Sequence, residues 1–128
     1  MFYALLMKDC LESIYNKENS MSDMILIYVV CENEKEAKKI AKELLQKKLI
    51  ACANILDKIS SLYFWPQNTS TIEEGKESVL LVKTIKEKFN QINKDIKALH
   101  TYDIPAIFSI NIDEVDPKYL EWLKNQLN

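Results

Sequence analysis

The chain has 128 residues, a size that suits one domain, and its 48% hydrophobic and 28% charged residues with a net charge of −2 describe an ordinary globular protein. No basic stripe and no apolar run of about 18 residues occurs, which argues against a nucleic-acid partner and a membrane span. The single glycine, Gly75, excludes the glycine-rich loops of Walker and dinucleotide-binding sites.

Residues 1–23 are predicted to be an N-terminal extension, disordered or a short helix, and residues 24–128 the folded domain. The first ten residues contain a short apolar run but lack the basic start and the small-residue cleavage site of a secretion signal. The three cysteines are odd in number and widely separated, at Cys10, Cys31 and Cys52. We therefore expect reduced thiols in a cytoplasmic protein.

The first predicted strand is the continuous apolar run MILIYVV at residues 24–30, which is typical of a strand buried on both faces. Asn33 follows as a predicted helix N-cap, with Glu36 three residues later in the capping-box pattern. Apolar residues then recur at helical spacing from Ala37 to Leu45, which predicts an amphipathic helix.

A long strand is predicted at residues 49–65, LIACANILDKISSLYFW, and its first eight residues are apolar or small on both faces. Asp57 and Lys58 interrupt this pattern and predict a bulge or a bend. Three consecutive aromatic residues, 63–65, must project rings from both faces. Because a domain of this size has one core, the second face needs another cover, and a second copy of the chain is the simplest candidate.

The most polar segment, residues 66–76, is predicted to be the tip of a hairpin, and residues 77–83 to be its returning strand. Thr84 is then the predicted N-cap of a second helix, with Glu87 as its capping-box partner.

The last part of the chain supplies one more strand and one more helix. After Pro105, apolar and polar residues alternate from 106 to 113, as in a strand with one wetter face, and Asp116-Pro117 predicts a helix start. The resulting order predicts an α+β fold, a ferredoxin-like βαββαβ sandwich with an extra C-terminal helix. Both main helices would cover one face of the sheet, and the apolar residues of the other face predict an oligomer.

Five segments, in this order, resemble the CutA (divalent-cation tolerance) family: ACANI, LYFW, ESVLLVKT, HTYDIPAI and YLEWL. The resemblance extends over about residues 24–127. It implies a homotrimer of ferredoxin-like subunits, a role in tolerance of divalent metals, and copper binding in some members. It implies no catalytic activity and no required cofactor, with copper or another divalent cation as the candidate bound ion.

The chain departs from that family's pattern at three points. Trp65 is followed by Pro66, where members commonly have a Trp-x-Gly turn, and the hairpin tip is a few residues longer. Ala106 stands where many members have a glutamate, which removes one carboxylate from a ligand site. The cysteine of some copper-binding members aligns nearer to Val29 than to Cys31.

His100, the single histidine, matches the family's histidine before Tyr-x-x-Pro and has two open interpretations. In one it is a ligand for copper or zinc, with Cys31 or Asp103 as partners. In the other it caps a helix C-terminus, where an imidazolium interacts well with the last carbonyl groups. One histidine with scattered cysteines lacks the spacing of a zinc site, so any site would be weak or shared between subunits.

Glu77 and Lys83 lie six residues apart on one strand and therefore on one face, and the resembled family has a glutamate and a lysine there. They would line an intersubunit cleft for an anionic or metal-bound ligand, with Tyr63, Trp65 and Tyr102. Alternatively, the two charges form an ion pair between subunits that fixes their register, and the aromatic residues only pack.

Three functions follow as hypotheses. The first is a trimeric divalent-metal tolerance or response protein with copper(II) binding. The second is a trimeric small-molecule sensor or signalling module with its ligand in the intersubunit cleft, and the third is a structural trimer that presents the 66–76 loops to a protein partner. No Ser/His/Asp or Cys/His set suggests catalysis, so the chain is predicted not to be an enzyme.

Overall fold

The computed structural model describes residues 7, 8, 11 and 22–128, so most of the predicted extension at 1–23 lies outside the described part of the chain. The elements in chain order are β1 (Met24–Cys31), α1 (Glu34–Gln46), β2 (Cys52–Phe64), β3 (Ile72–Ile85), α2 (Phe89–Leu99), β4 (Ile107–Asn111) and α3 (Pro117–Gln126). A 3₁₀ turn at Lys86–Lys88 joins β3 to α2.

The four strands form one antiparallel sheet in the order β2-β3-β1-β4. One face of the sheet packs against α1 and α2, because alternate residues of β1 (Ile25, Ile27 and Val29) are fully buried in the same apolar cluster as Ile40 and Ile96. The predicted α+β, ferredoxin-like sandwich with an additional C-terminal helix is therefore confirmed.

The C-terminal helix α3 packs on one end of the opposite face of the sheet. Leu123 and Leu127 join a second apolar cluster with Met24 and Ile85, whose side chains alternate with those of the first cluster. Asp116 caps this helix by accepting a hydrogen bond from the backbone N–H of Tyr119 at 3.0 Å, as predicted. With ten residues, α3 is about 15 Å long and leaves most of this face uncovered.

The uncovered part of this second face, called here the open face, is apolar. Leu56 is 54% exposed, Phe108 48% and Ile110 46%. Tyr28 and Phe108 lie on neighbouring strands, and their rings stack with centroids 4.9 Å apart. The central strands are therefore apolar on both faces of the sheet, as their sequence predicts. A single subunit covers only one of these two faces completely.

A β-bulge interrupts the pairing of β2 with β3, where the register shifts between Leu56 and Ile59. Lys58 has φ of 57°, in the left-handed region, which is strained for a residue with a Cβ. The predicted bulge at Asp57 and Lys58 is confirmed.

Replacing Lys58 by glycine should raise the free energy of unfolding by roughly 0.5–1 kcal/mol, since glycine adopts this φ without the Cβ penalty. Replacement by valine should lower it by a similar amount or more, because a β-branched side chain tolerates positive φ poorly. Urea unfolding of the two variants beside the parent measures both changes, and equal stability of all three would contradict this explanation of the bulge.

Thr84 does not cap the second helix, so that prediction is wrong. It is fully buried near the end of β3, and its hydroxyl donates a hydrogen bond to the Leu49 carbonyl at 2.6 Å. The helix α2 begins only at Phe89, and its N-cap residue Lys88 makes no side-chain capping bond. The Thr84 hydroxyl therefore links β3 to the segment just before β2 and does not cap the helix.

The hairpin tip is shorter than the predicted 66–76 loop. The backbone N–H of Trp65 donates to the carbonyl of Thr71 at 2.9 Å, and β3 begins at Ile72. Residues 72–74 and 76 are exposed within this strand, because both faces of the hairpin lie in solvent there. Polar residues therefore continue into the strand, and the prediction was wrong for 72–76.

Candidate metal site

The end of β1 meets the start of α1 and the end of α2 at a buried polar cluster. Cys31 is the last residue of β1, and alternation along the strand places its side chain toward the helices, where it is fully buried. Burial, followed by the nearby carboxylates of Glu36 and Glu77, raises the pKa of the Cys31 thiol to about 12. The thiol is therefore protonated at neutral pH.

Glu36 reaches this cluster from the first turn of α1. The predicted N-cap is confirmed, because the side chain of Asn33 accepts a hydrogen bond from the backbone N–H of Glu36 at 2.9 Å. The Glu36 carboxylate turns back to accept hydrogen bonds from the backbone N–H groups of Glu32 at 3.1 Å and Thr101 at 3.2 Å. The carboxylate is thus fixed between the end of β1 and the segment that follows α2.

Burial alone would raise the pKa of Glu36, but the opposing contributions are larger together. Hydrogen bonds from Thr101 and from the backbone of Glu32, with the nearby His100 imidazole, bring the pKa of this carboxyl below its ordinary value. Glu36 is therefore ionised at neutral pH beside a buried thiol.

His100 is the C-cap residue of α2, and its side chain is fully buried. Its ring contacts the Val30 carbonyl through Nε2 at 2.7 Å, so Nε2 carries the proton in this arrangement. The other ring nitrogen, Nδ1, accepts a hydrogen bond from the backbone N–H of Tyr102 at 3.0 Å. The residue caps the helix through its backbone N–H, which donates to Ile96, while its ring binds β1.

The Sγ of Cys31, a carboxylate oxygen of Glu36 and a ring nitrogen of His100 all lie within 4.8 Å of one another. Thiolate, imidazole and carboxylate together favour borderline metals such as copper and zinc over magnesium and calcium. Two of the predicted ligands, Cys31 and His100, are thus brought together, whereas Asp103 is exposed and is not one of this group.

Glu36 is the ligand candidate that the sequence analysis missed. The capping-box pattern with Asn33 already accounted for a glutamate at this position, so the sequence offered no reason to assign it a second role. The signal that could have found it is its place in the first turn of a helix that starts three residues after Cys31. A connection this short keeps the first turn of the helix close to the end of the strand.

The residues of the predicted cleft are only partly assembled within one chain. The Tyr102 hydroxyl donates a hydrogen bond to Glu77 at 2.7 Å, and burial, followed by this bond, raises the pKa of Tyr102. Lys83 lies six residues along β3 from Glu77, about 20 Å away at the rise of an extended strand. Tyr63 and Trp65 are exposed near the hairpin tip. A cleft that used all five would need residues from another subunit.

Within the described part of the chain, no helix is long and apolar enough to cross a membrane.

Comparisons with known proteins agree with this architecture. The family described as CutA1 divalent ion tolerance protein matches residues 25–126. The Divalent-cation tolerance protein CutA of Pyrococcus horikoshii is 39% identical over 100 residues, which cover 78% of this chain and 94% of that protein.

Solved structures give the same result. The crystal structure of divalent ion tolerance protein CutA1 from Ehrlichia chaffeensis matches with a TM-score of 0.78 and 32% identity over 85% of this chain and 99% of that one. CutA1 from Oryza sativa matches with a TM-score of 0.77 and 33% identity over 83% and 94% of the two chains. Because the family match spans residues 25–126 and these relatives are more than 30% identical over most of their length, the chain belongs to the CutA1 family of divalent ion tolerance proteins.

Proposed function

We propose that this chain acts in divalent-cation tolerance as a homotrimer that binds copper(II), or a similar borderline cation, through Cys31, Glu36 and His100. The observation that supports the binding role most directly is the approach of three different ligand atoms to within 4.8 Å of one another. The proposed role is binding without catalysis, since a buried thiol with a raised pKa is a poor nucleophile.

The donor set fits such a cation, although the Glu36 carboxylate and the His100 ring already have hydrogen-bond partners. Cys31 would bind as the thiolate, Glu36 as the carboxylate and His100 as neutral imidazole, and a bound cation would supply the positive charge that stabilises the thiolate. Both ring nitrogens of His100 and both carboxylate oxygens of Glu36 make hydrogen bonds in the structure. Binding must replace some of these bonds, so we expect a modest affinity.

The open face supports the proposed assembly. Its half-exposed apolar side chains, with the Tyr28–Phe108 stack, form a surface of the kind that soluble proteins bury against a partner. A second copy of the chain is the simplest partner, and three copies is the number that the family resemblance implies.

Titration of the purified protein with Cu²⁺ tests the binding site. His100→Ala and Cys31→Ala should each weaken binding about tenfold or more, since the loss of a group that only orients a metal ligand already costs about 10- to 100-fold in affinity. Asp103→Ala should bind as the parent does, because its carboxylate lies outside the group. Equal affinity of the parent, His100→Ala and Cys31→Ala would remove the cluster from the site.

A further inference from the structure

The segment 100–106, between α2 and β4, is attached to the rest of the subunit by a few hydrogen bonds, and at its far end the Ala106 carbonyl accepts one from the backbone N–H of Val30 at 3.2 Å. The His100 ring bonds to the Val30 carbonyl, the Thr101 N–H to Glu36, and the Tyr102 hydroxyl to Glu77. The two apolar clusters of the described chain include no residue of this segment, and Ile104 at its centre is 87% exposed. Its order therefore depends on a few hydrogen bonds.

Two of these attachments use the same atoms that the proposed cation site needs. A ring nitrogen can bind a cation only through a free lone pair, but His100 donates from Nε2 and accepts at Nδ1. The Glu36 oxygen that would turn toward a cation accepts hydrogen bonds from Thr101 or Glu32. The hydrogen bonds that hold the segment and the bonds to a cation therefore compete for the same atoms of His100 and Glu36.

We propose that cation binding at Cys31, Glu36 and His100 loosens residues 101–105, which follow the ligand His100, so that the order of these residues depends on whether the site is occupied. The inference rests on the proposed function, because it requires the cation site to exist. The cation takes the acceptors of the Thr101 and Tyr102 N–H groups, and this loosens Tyr102, whose hydroxyl joins the segment to β3 through Glu77. Coupling between two such states is reciprocal, so loosening the segment must strengthen cation binding.

Hydrogen–deuterium exchange of the full chain with and without Cu²⁺ tests the release directly. The amide groups of Thr101 and Tyr102 are held by Glu36 and His100, so they should exchange faster when copper is bound. The amide groups of β1 next to the site should keep their protection. Unchanged or slower exchange throughout 101–105 at saturating copper would overturn the inference.

Tyr102→Phe tests the reciprocal effect, since it removes the bond to Glu77 and keeps the ring. We expect it to tighten Cu²⁺ binding by about fivefold, at the lower end of typical coupling between sites. Tyr119→Phe, which removes a hydroxyl that contacts Cys52 on the far side of the sheet, is the matched control and should leave the affinity unchanged. Equal or weaker binding by Tyr102→Phe would overturn the inference.

These outcomes separate the two proposals. A parent protein that does not bind Cu²⁺, or that binds it equally well after His100→Ala, refutes the proposed site and the inference with it. Binding that depends on His100 but is unaffected by Tyr102→Phe refutes only the coupling.

Discussion

Replacing Phe108 by lysine is expected to dissociate the proposed trimer into single chains. Phe108 lies on the open face and stacks on Tyr28, so the proposed assembly would bury its ring in every subunit. Losing that burial removes about 2 kcal/mol of association free energy per subunit, and a lysine charge in the interface adds a desolvation penalty. Sedimentation velocity at micromolar concentration should show the 15.0 kDa chain for the variant and three times that mass for the parent.

Ser109→Lys is the matched control, because Ser109 is exposed on the same strand and its side chain points to the opposite face. It introduces the same charge one residue away and should leave the proposed trimer intact. The proposed assembly fails if the parent sediments as a single chain, or if Phe108→Lys sediments with the parent's mass.

The sequence patterns that predicted correctly are short and local. The run at residues 24–30 predicted a strand apolar on both faces, and it pairs with a strand on either side in the centre of the sheet. Asn33 before an amphipathic segment predicted the start of α1, and Asp57-Lys58 predicted the bulge. In each case the residues that determine the structure lie within a few positions of one another.

The predictions that failed depend on distant partners. Thr84 has the composition of an N-cap, but its hydroxyl bonds to Leu49, 35 residues away. Glu36 has the position of a capping-box residue, but one of its carboxylate oxygens accepts from Thr101, 65 residues away. Neither partner can be identified from local spacing, since both are set by how strands and helices meet in three dimensions.

A Glu36→Ala substitution is expected to lower the free energy of unfolding by about 2–3 kcal/mol, because it leaves the N–H groups of Glu32 and Thr101 without their acceptor in a largely buried place. Glu36 is only 8% exposed, so water replaces the carboxylate poorly. For a domain of about 100 residues this loss lowers the melting temperature by roughly 10–20 °C. Thermal unfolding at equal protein concentration measures it.

Two further variants show that the effect belongs to this carboxylate. Glu43→Ala removes a partly exposed glutamate of the same helix, which pairs with Lys47 at 3.8 Å, and should change stability by no more than about 0.5 kcal/mol. Glu36→Gln keeps one acceptor oxygen but loses the charge, so its stability should lie between those of the parent and Glu36→Ala.

The charge of Glu36 also predicts how the parent responds to acid. Because the pKa of Glu36 is lower in the folded chain, its ionised form contributes stability above the carboxyl's ordinary pKa, and that contribution disappears as the pH falls through the folded value. The stability difference between the parent and Glu36→Gln should therefore be largest at neutral pH and shrink as the pH falls below the ordinary pKa of a glutamate carboxyl. A stability difference that stays constant as the pH falls would mean that the charge of Glu36 does not cause it.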